Sequence, residues 1–131
     1  MKYAVYIGRF QPYHFGHKWL IDQKLKKGIP CLILVRNVLP DENNPMTGID
    51  VVNMLKYVFE NDDVLVDIIP DIESVNYGRG VGYEINEFVP PKNIKMISGT
   101  EIRKRIREND DSWRDYLEPR AVKWIEEHGK Y

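Results

Sequence analysis

Three short apolar runs, at residues 3–7, 31–35 and 64–69, constrain this chain most, because segments long enough for a helix separate them. Strand-length runs alternating with helix-length segments are the pattern of an α/β domain built on parallel strands. The run CLILV at 31–35 has no polar interruption, as expected of a strand covered on both faces. Between the runs, residues 15–27 are predicted to form a helix that turns Trp19, Leu20 and Leu25 toward the core, and residues 47–60 a second one. That second segment carries Val51, Leu55 and Val58 at helical spacing, with Thr47 as its N-cap. Pro70 ends the third run. Residues 83–89 could add another strand before Pro90 and Pro91 break the chain, giving a sheet of about four to five strands. Residues 94–97 lead into SGTEIRKRIREN, which reads as a capped helix of alternating charge, and residues 119–127 form a last amphipathic helix.

A length of 131 residues suits one domain spanning 1–131. Apolar residues make up 43% of it, with no internal repeat, so the chain has the composition of an ordinary folded globule. Lysine and arginine number 19 against 20 acidic residues, and the resulting net charge of −1 gives no general attraction to nucleic acid or an anionic membrane. Any phosphate chemistry must therefore be local. Cys31 is the single cysteine and cannot form an internal disulfide. With no signal-peptide core and no run long enough to span a bilayer, the expected location is a reducing cytoplasm.

The stretch GRFQPYHFGH, residues 8–17, follows the first strand directly. In a parallel α/β sheet, ligands bind beyond the carboxyl ends of the strands, and a glycine-containing turn into a helix offers unpaired backbone N–H groups to an anion. Gly8 lets the backbone bend, Pro12 stiffens the turn, and Gly16 allows close packing in the first helical turn. His14 and His17, three apart at the start of a helix, can point both imidazoles at one ligand. A phosphate suits that arrangement. ISGTEIRKR, residues 97–105, is a second helix N-terminus of this kind: Ser98 or Thr100 can cap it while Arg103 faces an anion. Two such junctions could enclose a polyphosphate, which points to nucleotide chemistry.

His14-Phe15-Gly16-His17 resembles the HxGH signature of the nucleotidyltransferase superfamily, and ISGTEIR resembles its second signature, the ISSTxxR-type motif. With NPMTGIDVVNML, IPDI and SGTEIRKR, the chain is most similar to the archaeal-type nicotinamide mononucleotide adenylyltransferases, over most of its length. The resemblance implies a Rossmann-like α/β fold and transfer of a nucleoside monophosphate from ATP or CTP to a small phosphorylated acceptor. Pyrophosphate is released with the help of Mg²⁺ bound with the triphosphate. It implies that His14 and His17 contact the triphosphate and steady the transition state, while Arg103, Ser98 and Thr100 hold the β- and γ-phosphates. It also places Gly8, Arg9, Phe10, Gln11, Gly16, Lys18 and Gly99 around the nucleotide. Small family members commonly assemble, so the resemblance permits a homo-oligomer.

The chain departs from that family after the third strand, where IPDIESVNYGRGVGYEINEF leaves little room for the usual further strand and helix with their SGNP-like segment. YGRGVGY is therefore expected to replace the acceptor loop. Arg79 would bind an acceptor phosphate, Tyr77 or Tyr83 would stack on a ring, Asp71 and Asn76 would add polar contacts, and Arg36 would act at the end of the second strand. Simpler readings exist for several features. An HxxH pair can ligate metal, but no further clustered ligand is apparent in the sequence. GRGVG can be merely a flexible loop. Lys104, Arg105 and Arg107 suit a solvated helix face, and Trp113 and Trp124 suit packing. Adenylyl transfer to nicotinamide mononucleotide leads. A cytidylyltransferase acting on a polyol or sugar phosphate shares both signatures, and a non-catalytic nucleotide-binding regulator would retain the fold without turnover.

Overall fold

The computed structural model describes residues 2–129 and 131. The first strand, β1, spans Ala4–Gly8, and β2 spans Cys31–Asn37. The third, β3, spans Val64–Pro70, and the sheet has the order β1-β2-β3 with both pairings parallel. Helix α1, Phe15–Leu25, connects β1 to β2, and α2, Gly48–Val58, connects β2 to β3. Successive right-handed crossovers along one direction of a sheet place their helices on the same face. The α/β class and parallel sheet agree with the sequence, while α1 and α2 end two residues earlier than their periodicity suggests.

Register decides which strand residues share a face. Tyr6, Ile33 and Val66 stand abreast, as do Ala4, Cys31 and Val64, and on this side Tyr6, Cys31, Ile33 and Val35 are buried. Val51, Met54, Leu55 and Val58 of α2 pack there together with Ala121, Trp124 and Ile125 of the last helix, α5, Pro119–His128. Each buried Val, Leu, Ile or Met side chain among these contributes about 1.5–3 kcal/mol. The opposite face carries Val5, Leu32 and Leu65 abreast, then Ile7, Leu34 and Asp67. Val5 is 53% exposed and Leu65 54%, and Leu32 and Leu34 are half-buried, so CLILV is covered on one face only. Trp19 is likewise half-buried on α1, where Ile21 is the residue fully enclosed.

The sheet has three strands among the described residues, not four to five. Residues 83–89 form no strand. Gly80 and Gly82 hold φ of 82° and 76°, a left-handed conformation that cannot extend a strand, and the two prolines that follow lack ladder donors. Residues 71–91 instead run without regular structure to a one-turn helix, α3, Lys92–Lys95. Helix α4, Gly99–Arg107, then starts at the cap Ser98, whose Oγ accepts the Glu101 N–H at 3.1 Å. A 3₁₀ segment, Asp111–Tyr116, precedes α5, and Gly129 at φ 59° closes α5 where an L side chain would be strained.

Candidate active site

The carboxyl end of β1 delivers the chain into an unusual turn. Phe10 adopts φ 51°, which costs a non-glycine residue about 1–3 kcal/mol, and the Gln11–Pro12 bond is cis. The buried Phe10 ring packs 4.8 Å from that of His17. A Cβ on Gly8 would meet the same ring at 3.0 Å, so the glycine makes room for the turn.

His14 caps α1 with its own ring: Nδ1 accepts the Gly16 N–H at 3.0 Å, and the His14 N–H donates to His17 Nδ1 at 3.2 Å. A backbone N–H can only donate, so both Nδ1 atoms accept and each neutral imidazole carries its proton on Nε2. The rings stack at 3.8 Å. Burial, then the Arg103 guanidinium, lowers the His14 pKa to about 4; burial, then His14, holds His17 well below the ordinary imidazole value. Both rings are therefore neutral at pH 7, each a fixed Nε2–H donor. A Cβ on Gly16 would lie 2.7 Å from His14 Cε1, which explains the glycine between the histidines.

Helix α4 closes the opposite side. Arg103 Nη1 donates to the Gln11 carbonyl at 2.7 Å and Nη2 to Thr100 Oγ1 at 3.2 Å, while its buried Nε has no protein partner. A cleft of about 310 Å³ is lined by His14, His17 and Arg103 together with Arg9, Phe10, Gln11, Pro12 and Gly99. Asn43 and Asn44, from the loop between β2 and α2, complete it. That wall was missed in the sequence, although the loop leaves the carboxyl end of β2, where ligands bind. Asp41 shapes it by accepting from the Asn43 and Asn44 backbone N–H groups at 2.8 Å each. A larger groove of about 440 Å³, lined by Arg114, Leu117, Val122 and Glu126 among others, includes none of these residues.

The expected site residues divide into those at the cleft and those held elsewhere. Lys18 does not line the cleft; its ammonium pairs with Asp22 at 2.8 Å and with Glu118 at 3.7 Å. Ser98 and Thr100 use their hydroxyls on the helix cap and on Arg103. The Gln11 carboxamide is bonded to Met46 and is not a free ligand group. Arg36 and Asp71, both expected to meet an acceptor, pair with each other at 2.6 Å. Asn76 bonds Ser74, and Tyr77, Arg79 and Tyr83 are exposed on the irregular segment, outside the cleft lining. Among the described residues, no group of three or more His, Cys, Asp and Glu side chains is placed to hold a metal ion, and no helix is long and apolar enough to cross a membrane.

A parallel sheet with a cationic, imidazole-lined cleft at its carboxyl edge suits an enzyme that handles phosphoanhydrides, and the comparison with known proteins agrees. No protein-family model matches the chain. A nicotinamide-nucleotide adenylyltransferase of Methanosarcina barkeri is 33% identical, over 93% of this chain and 86% of the relative. Proteins of the same name from Sulfurisphaera tokodaii and Haloarcula marismortui are 28% and 27% identical, each over 95% of this chain and over 90% and 81% of their own lengths. The chain is an enzyme of the nucleotidyltransferase class. It belongs to the nicotinamide-nucleotide adenylyltransferase family. The alignment with the Sulfurisphaera protein runs over 156 residues, more than the 131 of this chain, so that relative carries residues that this one lacks.

Proposed function

We propose that the protein transfers AMP from ATP to a small phosphorylated acceptor, with nicotinamide mononucleotide the first candidate, and releases pyrophosphate. The observation that carries this reading is the set of cationic and N–H donor side chains that line one cleft: the His14 and His17 rings, each with its proton on Nε2, and the Arg103 guanidinium. An acceptor phosphate oxygen attacks the α-phosphorus in line, the bond from that phosphorus to the bridging oxygen breaks, and pyrophosphate leaves with the electron pair. Negative charge then grows on the leaving group, where fixed donors need no reorganisation, so no protein nucleophile is required. Relatives named nicotinamide-nucleotide adenylyltransferase support the choice of acceptor.

Mg²⁺ belongs to this proposal as a companion of the triphosphate. The donor set of the cleft is cationic and imidazole-rich, which fits an ion brought on phosphate oxygens and waters rather than one caged by carboxylates. Bound there, it would neutralise part of the β- and γ-phosphate charge. Arg36 would meet the acceptor phosphate by exchanging its Asp71 partner for it.

A pyrophosphate-release screen tests the reading, with ATP and CTP each offered to nicotinamide mononucleotide, phosphopantetheine, glycerol phosphate and sugar phosphates. Release with ATP and nicotinamide mononucleotide, with one dinucleotide formed per pyrophosphate, is the expected result. Activity only with CTP would replace adenylyl by cytidylyl transfer, and no activity with any pair would remove transfer altogether.

A further inference from the structure

We propose that Gln11 is the positioning residue that ties three walls of the cleft into one rigid unit. The inference deepens the transfer reading above and rests on it for its kinetic arm. Gln11 is 5% exposed, and both its carboxamide nitrogen and its carboxamide oxygen are bonded within the protein. Nε2 donates to the Met46 carbonyl at 2.8 Å, and Oε1 accepts the Met46 N–H at 3.0 Å. This two-point pairing imitates a strand-to-strand link between segments 35 residues apart. It clamps the loop after β2 to the loop after β1.

Each end of the clamp leads to a cleft group. Upstream of Met46, whose side chain is wholly buried, stand Asn43 and Asn44 of the cleft wall; downstream, Thr47 caps α2 by accepting the Asp50 N–H. On the other side, the Gln11 main-chain carbonyl accepts Arg103 Nη1 at 2.7 Å. Gly99 lets α4 come that close, since a Cβ there would stand 3.1 Å from Nη1 and 3.5 Å from the same carbonyl. A shift of the Gln11 backbone therefore moves Arg103, and it is the side-chain clamp that fixes this backbone. Asparagine is one methylene too short for both bonds, glutamate lacks the donor, and methionine fills the volume with neither. A neutral side chain buried this deeply and bonded at both ends orients its neighbours and leaves ligand contact to them.

The test compares full-length wild type with Gln11→Met, Arg103→Ala and the double variant, using ATP and nicotinamide mononucleotide. Misplacing Arg103 by a fraction of an ångström is expected to lower kcat by about tenfold to a hundredfold in Gln11→Met, with a smaller change in KM for ATP. In the Arg103→Ala background the same substitution should cost less than about threefold, because the group it positions is gone. Independent effects that multiply in the double variant, or an unchanged kcat in Gln11→Met, would overturn the proposal. Amide hydrogen exchange supplies a second arm that needs no turnover. Gln11→Met should expose the Met46 amide and speed exchange across residues 41–47, and unchanged protection there would also overturn it. If wild type is inactive with every acceptor, the transfer reading falls while the exchange arm still decides the clamp. Should Gln11→Met not fold, Gln11→Asn carries the same comparisons, since it keeps a neutral carboxamide that is one methylene too short for both bonds.

Discussion

His14 and His17 show how a residue's role depends on what its other atom is doing. With both Nδ1 atoms occupied by backbone N–H groups, the rings cannot rotate or exchange tautomers without breaking the start of α1. The same burial carries a pH signature. The His14 pKa falls from the ordinary 6.5 to about 4 on folding, so between those values the unfolded chain binds the extra proton. Its contribution to stability is complete above about pH 6.5 and is lost as pH falls through about 4. Denaturant unfolding from pH 7 down to 4 should show this loss together with that of His17, and His14→Asn, which keeps a side-chain acceptor for the Gly16 N–H without titrating, should reduce the slope to the share that His17 leaves. An unchanged slope in the variant would place the titration elsewhere. The histidine spacing was legible in the sequence because three residues bring two side chains to one helical face. The left-handed Phe10 was not, since only the packing of its ring makes that conformation tolerable.

At the scale of elements, α4 depends on its cap, because it is nine residues long and carries a strongly polar surface. Ser98→Ala is expected to destabilise the protein by about 1 kcal/mol in chemical denaturation, with Ser98→Gly costing only a few tenths. Equal losses from both would mean that the hydroxyl is not the cap. The sequence made this helix, its cap and Arg103 readable together, since SGTEIR supplies a short polar side chain just ahead of the helical pattern. Lys18 shows the opposite case. The family resemblance set Lys18 at the nucleotide, yet Asp22 lies one helical turn further on and takes the ammonium. The Asn43–Asn44 wall escaped notice because polar loops carry no periodicity, and it is Gln11 that gives this one a fixed place.

Taken as a whole, the described residues build helices onto one face of a three-stranded parallel sheet and leave the other face open. Ile33→Ala, on the wholly buried side, should cost about 2–5 kcal/mol in unfolding free energy. Leu65→Ser, on the open side, should stay within about 0.5 kcal/mol. A core-sized loss at Leu65 would mean that this face is covered in solution. The parallel crossovers were legible from apolar runs spaced by helices, whereas the single-sided burial was not: an apolar run looks the same whether one face or two is covered. The missing strands reflect chain length, since residues 71–91 have to return from β3 to α3 with three glycines and two prolines among them.

If the imidazole and guanidinium donors of one cleft carry nucleotidyl transfer, the rate of pyrophosphate release from ATP with nicotinamide mononucleotide depends on them. Wild type and His17→Ala should both unfold cooperatively, while the variant should release pyrophosphate at least about a hundredfold more slowly. Equal rates from the two folded proteins would mean that the cleft imidazoles take no part in the transfer.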